Sequence, residues 1–139
     1  MRRLNKLTTN RIERAFDGAD MTLTQWITLA LIATDTANTC TTLARDLGHD
    51  SGAMTRVLDQ LEERGLVVRT RDDSDRRVTR VTVSDSGREA MMALVTTVVG
   101  EWNLILADFD RDEIDRLIAT MTRLLARLDA LETEEEMAS

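Results

Sequence analysis

One short stretch of this chain alternates between apolar and polar residues, whereas the sequence on both sides repeats with the period of an α-helix. The alternating residues 66–70 and 77–83 are rich in β-branched side chains, and residues 72–75 between them (Asp-Asp-Ser-Asp) have the composition of a turn. We therefore expect one β-hairpin in an otherwise helical chain. The sequence contains no proline, so long uninterrupted helices are permitted on either side of the hairpin.

Apolar periodicity and capping residues predict four helices before the hairpin and two after it, which is a mainly α (α+β) fold. The first expected helix covers residues 4–16 and stops near Gly18, and the second is capped by Thr24. The third runs from Thr41 or Thr42 to Gly48, and the fourth is capped by Asp50 or Ser51 and ends at Gly65. The fifth is capped by Ser84 or Ser86, and the sixth begins at about Asp112.

The third and fourth helices have the spacing of a helix-turn-helix. Ala44 is small where two helices would approach closely, and Gly48 follows four residues later where the chain must turn. The fourth helix would expose small or polar residues near its N-terminus, from which Thr55 and Arg56 could reach base edges in a major groove. An ordinary helical hairpin in a core has the same spacing, so the motif alone leaves both interpretations open.

The hairpin would follow this motif as a wing. Residues 64–80 carry six basic and three acidic side chains, although the whole chain has a net charge of −7. The entire acidic excess lies in residues 101–139, which have four basic and eleven acidic side chains. Arg76 and Arg77 near the hairpin tip could approach a minor groove, with Asp75 orienting one of them. The alternative is a surface ion pair of little energetic value.

Several motifs together resemble the MarR family of winged helix-turn-helix transcription regulators. They are Leu23-Thr24-Gln25-Trp26-Ile27-Thr28-Leu29, Leu43-Ala44-x-x-Leu47-Gly48, Thr55-Arg56-x-Leu58-x-x-Leu61-Glu62-x-x-Gly65-Leu66-Val67, Asp75-Arg76-Arg77 and Val83-Ser84-x-x-Gly87. The resemblance covers about residues 20–95. Each motif alone is weakly specific, whereas their order and spacing together are quite specific.

The resemblance implies a homodimer that binds a pseudo-palindromic DNA operator, often as a repressor released by a small aromatic or phenolic ligand. It assigns residues 24–85 to the DNA-binding lobe and residues 1–20 and 86–139 to dimerisation, within one unit of 139 residues. Base reading falls to Ser51, Ala53, Thr55 and Arg56, and minor-groove contact falls to Arg77. The ligand would lie between the dimer helices and the DNA-binding lobe. Arg11, Met21, Trp26 and Met91 are the candidates to line its site, and simple core or surface packing is the alternative for each of them.

Composition narrows the other classes of function. One histidine, His49, and one cysteine, Cys40 just before the third helix, provide neither a dedicated metal site nor a nucleophile with a supporting base, so we expect no metal, no cofactor and no enzymatic activity. Apolar runs are too short for a membrane span, and we expect a cytoplasmic location. A protein-interaction adaptor that uses the fold without DNA remains the alternative, although such an adaptor has no need of an arginine-rich wing.

Overall fold

The structure, a computed structural model, describes residues 2–138, and these form six α-helices and one two-stranded antiparallel sheet. The elements are α1 (Arg2–Ala15), α2 (Leu23–Ala33), α3 (Cys40–Leu47), α4 (Ser51–Glu63), β1 (Val67–Arg71), β2 (Thr79–Val83), α5 (Asp85–Ile105) and α6 (Arg111–Ala138). This order confirms the predicted fold class. The chain divides into two compact units between Glu101 and Trp102.

Helices α2 and α3 are capped by earlier residues than the sequence predicted. The side chain of Thr22 accepts a hydrogen bond from the Gln25 amide (3.2 Å) and the Gln25 side chain accepts one from the Thr22 amide (3.0 Å), so Thr22 caps α2. The prediction of Thr24 is wrong because only Thr22 has a partner of the right type three residues on. Thr39 and Thr42 cap α3 in the same reciprocal way, so α3 starts at Cys40 instead of Thr41 or Thr42. Cys40 therefore lies inside the helix.

The other caps agree with the predicted alternatives. Asp50 is the N-cap of α4, and its carboxylate accepts a hydrogen bond from the Ala53 amide at 2.8 Å. The hydroxyl of Ser84 accepts one from the Gly87 amide at 3.0 Å at the start of α5, which leaves Ser86 inside that helix. Gly18, Gly48 and Gly65 all have positive φ where helices were predicted to stop.

The hairpin pairs β1 with β2 in the register Val67–Val83, Arg69–Val81 and Arg71–Thr79. The second strand begins at Thr79, so the prediction that it begins at Arg77 is wrong, and Arg77 lies in the connecting turn. A bridge between Thr39 and Arg80 adds a contact on the outer side of β2 that the sequence did not predict. There the Val81 amide donates to the Asn38 carbonyl at 2.8 Å.

The first unit has a continuous apolar core to which α1–α4, the hairpin and α5 all contribute. Its most deeply buried apolar side chains are Leu29, Leu43, Met54, Leu58, Leu61, Val67 and Val81. Through these side chains, α3, α4 and the hairpin pack on the same apolar core. In the second unit, α6 begins with a reciprocal cap between Asp110 and Glu113. No described residue of α6 is buried.

Candidate nucleic-acid interface

Helices α3 and α4 are joined by a turn that requires left-handed backbone geometry. Gly48 has φ 64° and ψ 30°, a conformation that costs little only for glycine. Ala44 is buried where α3 meets the core, and its carbonyl accepts a hydrogen bond from the His49 amide at 2.9 Å. His49 itself is exposed in the turn. The turn therefore has the helix-turn-helix geometry predicted from Ala44 and Gly48.

The first turns of α4 expose the predicted base-reading residues. Ser51, Thr55 and Arg56 are exposed, and Ala53 is half-buried. The hydroxyl of Thr55 donates to the Ser51 carbonyl at 2.7 Å, which leaves its oxygen lone pairs able to accept a hydrogen bond from outside the helix. The sulfur of Cys40 lies 3.5 Å from this hydroxyl. The small side chains of this face permit close approach of another molecule.

The N-terminus of α4 contains its own anion, the carboxylate of Asp50. The hydrogen bond from the Ala53 amide is the main reason that the pKa of Asp50 lies below its ordinary value, and the positive charge of Arg56 adds a smaller effect. The Ala53 N–H at the N-terminus of α4 is therefore already occupied by a carboxylate of the chain itself. Arg56 is the cationic side chain on the exposed N-terminal part of the helix.

The turn of the wing is organised around Asp72. One of its carboxylate oxygens accepts from the Ser74 amide (2.8 Å), the Ser74 hydroxyl and the Asp75 amide (3.1 Å), and the other accepts from Nε of Arg80. These bonds, led by the one from the Ser74 hydroxyl, hold the pKa of Asp72 far below its ordinary value. From the sequence, Asp72 was predicted only to be part of a turn. Its residue type was the signal for a turn, and nothing local indicated Arg80 as a partner.

Arg77 projects from the ordered turn with Asp75 beside it. The Asp75 carboxylate accepts from the backbone amide of Arg77 at 3.0 Å and from its Nε at 3.2 Å. The side chain of Arg77 is nevertheless 92% exposed. Arg76 is also exposed. The predicted pairing of Asp75 with an arginine is thus present. It restrains Arg77 at its backbone amide and at Nε, whereas the remaining N–H groups of the guanidinium face solvent.

Two of the six arginines in residues 64–80 bind residues that lie seven or more positions away in the sequence. Arg69 on β1 binds Asp59 and Glu62 on α4 at 2.7 and 3.0 Å. Arg80 on β2 binds Asp72 and also donates to the Asn38 side chain at 3.2 Å. Their partners lie 7 to 42 residues away, so sequence composition could not separate them from the solvent-facing arginines.

The four residues predicted for a ligand site lie in the first unit, where the structure shows packing and hydrogen bonds between some of them. The indole N–H of Trp26 donates to the Met91 carbonyl at 2.9 Å, and its ring packs edge-on against Phe16 with 6.4 Å between the ring centroids. Met21 is buried. The guanidinium of Arg11 pairs with Glu101 at 2.7 Å.

An open depression of about 480 Å³ lies between the end of α1, the start of α2 and Arg64. Of the four predicted residues, only Met21 lines it. Phe16 and Leu23 add apolar surface, whereas Glu13, Asp17 and Asp20 are acidic. The structure therefore does not bring Arg11, Met21, Trp26 and Met91 together around this depression.

Residues 2–138 contain no group of three or more His, Cys, Asp or Glu side chains placed to hold a metal ion. Within the same range, no helix has the length and apolar character needed to span a membrane.

Taken together, the helix-turn-helix, the hairpin wing and the exposed Arg56 and Arg77 have the arrangement of a winged helix, which is typical of DNA-binding proteins. Residues 21–79 match the sequence profile of the MarR family. The resemblance drawn from the motifs is thereby confirmed over these residues.

Solved structures of that family share the fold over most of both chains. The MepR–DNA complex from S. aureus is 19% identical, with a TM-score of 0.70 and coverage of 91% of this chain and 93% of that one. Apo MarR from E. coli is 24% identical, with a TM-score of 0.72 and coverage of 89% and 93%. CouR from Rhodococcus jostii RHA1, bound to p-coumaroyl-CoA, is 22% identical, with a TM-score of 0.72 and coverage of 88% and 86%.

Proposed function

We propose that this protein is a homodimeric transcription regulator that recognises a pseudo-palindromic operator. The observation that carries the proposal is the placement of two different contact elements on one core. The first turns of α4 expose small and hydrogen-bonding side chains beside Arg56, and the wing exposes Arg77 beside Asp75. MepR, which has the same fold, is known in complex with DNA.

Each contact element suits a different groove. A helix fits the major groove, where Thr55 and Arg56 would meet base edges and the small Ser51 and Ala53 would permit close approach. A two-stranded wing reaches the adjacent minor groove, whose negative potential attracts arginine. Arg77 would enter or border that groove, with Arg76 nearby and Asp75 holding its direction.

The distribution of charge supports DNA binding despite the acidic total. The net charge of −7 equals the excess in residues 101–139, so residues 1–100 are neutral as a whole. The proposed DNA-binding lobe, residues 24–85, carries eight basic and ten acidic side chains, so its net charge of −2 is much smaller than that of the whole chain.

The proposed dimer rests on the exposed apolar surface of α6. Seven apolar side chains recur on one face of this helix at helical spacing, and all are exposed: Leu117, Ile118, Met121, Leu124, Leu125, Leu128 and Leu131. A stripe of this length is rare on a protein that remains monomeric. An interface built on it should bury roughly 2,000 Å² or more in total and should be insensitive to salt because it is apolar.

Light scattering tests the dimer with a matched pair of variants. We expect the wild type at micromolar concentration to have the mass of a dimer. Leu124→Glu should shift it toward the monomer, because Leu124 is 60% exposed within the apolar stripe. Ala126→Glu introduces the same charge about 200° around the helix and should leave the dimer intact. A wild-type monomer would refute the proposal.

The ligand response is the finer part of the proposal. We infer that a small aromatic or phenolic compound releases a repressing dimer from its operator, as the family resemblance implies. CouR, which shares the fold, is known bound to an aromatic acyl-CoA, p-coumaroyl-CoA. Arg11, Met21, Trp26 and Met91 remain the proposed contacts. Salicylate, a small phenolic carboxylate, is a suitable first probe, and a lower operator affinity in its presence would support this part.

DNA binding is tested by selecting sequences from a random duplex library and by mobility shift on the DNA upstream of the protein's own gene. We expect enrichment of an inverted repeat with half-sites about one helical turn apart, and a shifted band at nanomolar protein. A protein-interaction adaptor would bind both the library and the upstream DNA no better than an unrelated duplex.

A further inference from the structure

We propose that Arg69 is a positioning residue that fixes the wing to α4 and compensates two carboxylates of that helix without contacting DNA itself. The effect of Arg69 on DNA binding rests on the function proposed above. The attachment of β1 to α4 by Arg69, called the clamp below, does not depend on that function. Arg69 belongs to the basic segment formed by residues 64–80.

The guanidinium of Arg69 spans three successive positions on one face of α4. Its Nη1 donates to Asp59 Oδ1 at 2.7 Å and to Glu62 Oε2 at 3.0 Å, and its Nη2 lies 3.4 Å from the Thr55 carbonyl oxygen. Positions four and three residues apart lie on the same helix face, so one planar side chain can reach all three. The first strand of the wing is thereby attached to the middle of the proposed recognition helix.

The charge balance of α4 makes this contact important for binding a polyanion. The helix has one basic residue, Arg56, against three acidic ones, Asp59, Glu62 and Glu63, so its net charge is −2. Asp59 and Glu62 are both partly accessible, with side chains 47% and 42% exposed. Without a nearby cation they would repel DNA phosphates from the helix that must approach them.

Arg69 is placed for this internal role and not for contact with a phosphate. Its side chain is 24% exposed, whereas that of Arg77 is 92% exposed. Its Nη atoms already donate to the carboxylates and face the carbonyl of α4, so an outside anion would compete with two carboxylates. Arg69 and Arg77 therefore have different roles although both lie in the wing.

The clamp predicts a local effect that can be measured without DNA. In hydrogen exchange of the full chain, Arg69→Met should make the amides that pair β1 with β2 exchange about 3- to 10-fold faster, while the amides of α2 keep the wild-type rate. Arg71→Met removes the same charge from an exposed position two residues along the strand and should leave both regions unchanged. Wild-type rates in the wing of Arg69→Met, or an equal increase in α2, would overturn the proposal.

Operator binding tests the compensation of charge. Arg69→Met should weaken operator binding about 3- to 10-fold, and this loss should shrink in the Asp59→Asn/Glu62→Gln background, where no carboxylate charge remains to be compensated. A slope lower by about one unit per half-site, with the same loss in that background, would show a phosphate contact and overturn the proposal. If the wild type binds no DNA, the proposed function fails, and the exchange experiment alone decides the role of Arg69.

Discussion

The close packing of α5 against Leu66 and Val83 predicts that Gly87 cannot be replaced by a larger residue without loss of stability. Gly87 is buried in the first turn of α5, and the Ser84 amide at the same junction donates to the Leu66 carbonyl at 3.0 Å. A Cβ built at position 87 would overlap the Leu66 carbonyl oxygen and lie 2.8 Å from Cγ1 of Val83. Gly87→Ala therefore places a methyl group where the backbone of another element already lies.

The magnitude follows from two opposing effects. Replacing glycine by alanine inside a helix ordinarily stabilises by about 0.5–1 kcal/mol, because alanine loses less backbone entropy. Overpacking a core costs about 1–3 kcal/mol and occasionally more, and here the overlap is with a carbonyl that no side-chain rotation can relieve. Taking the upper end of the overpacking cost and subtracting the gain from alanine, we expect Gly87→Ala to lower the free energy of unfolding by about 2 kcal/mol.

Urea unfolding at a fixed protein concentration measures this difference, with a control in the same helix. Gly100 also lies in α5, and a Cβ added there would have no atom within 4 Å. Gly100→Ala should gain about 0.5–1 kcal/mol, so the two variants should differ in sign. A Gly87→Ala protein as stable as the wild type would refute the close approach of α5 to Leu66.

Two further predictions concern the proposed interface. The pKa of Asp50 is lowered, mainly by the Ala53 amide, so the stability that Asp50 contributes is complete above its ordinary pKa of 3.8 and is lost as pH falls toward the lowered value. Asp50→Asn should remove this part of the pH dependence of the unfolding midpoint. An unfolding midpoint that falls with acid as it does in the wild type would contradict this prediction. Arg77→Ala should weaken operator binding and lower the salt slope by about one unit per half-site. Asp75→Ala should have a smaller effect of the same kind, since it removes only the orienting partner, and neither variant should alter the dimer seen by light scattering. Wild-type affinity and salt slope in Arg77→Ala would mean that the wing is a structural hairpin only.

The features that the sequence predicted correctly depend on local chemistry. Gly48 and Gly65 adopt the positive φ expected at helix ends, and Asp50 caps α4 through an amide three residues away. The hairpin follows from alternation and from the turn residues between its strands. Each of these interactions lies within a few residues of the chain, so sequence spacing alone specifies it.

The features that the sequence missed depend on contacts between distant residues. Arg69 and Arg80 have the same local composition around them as Arg76 and Arg77, and only the fold brings Asp59 and Asn38 to them. The later start of β2 is an exception, because Asp72 and Asp75 accept hydrogen bonds from residues two or three positions away and these bonds extend the turn through Arg77. The four expected ligand contacts could not be assigned to one cavity because helical periodicity gives no inter-helix distances.

The most direct test of the central claim, that α4 reads bases, compares Arg56→Ala with the wild type on the selected operator and on random duplex of equal length. The account predicts that the variant loses about 1–3 kcal/mol of binding free energy on the operator and much less on random DNA, with relaxed discrimination at one position of each half-site. Arg56 is exposed near the start of α4, so its loss should leave the fold intact. An equal loss on both duplexes would mean that Arg56 contacts only the backbone and would contradict base reading by this residue.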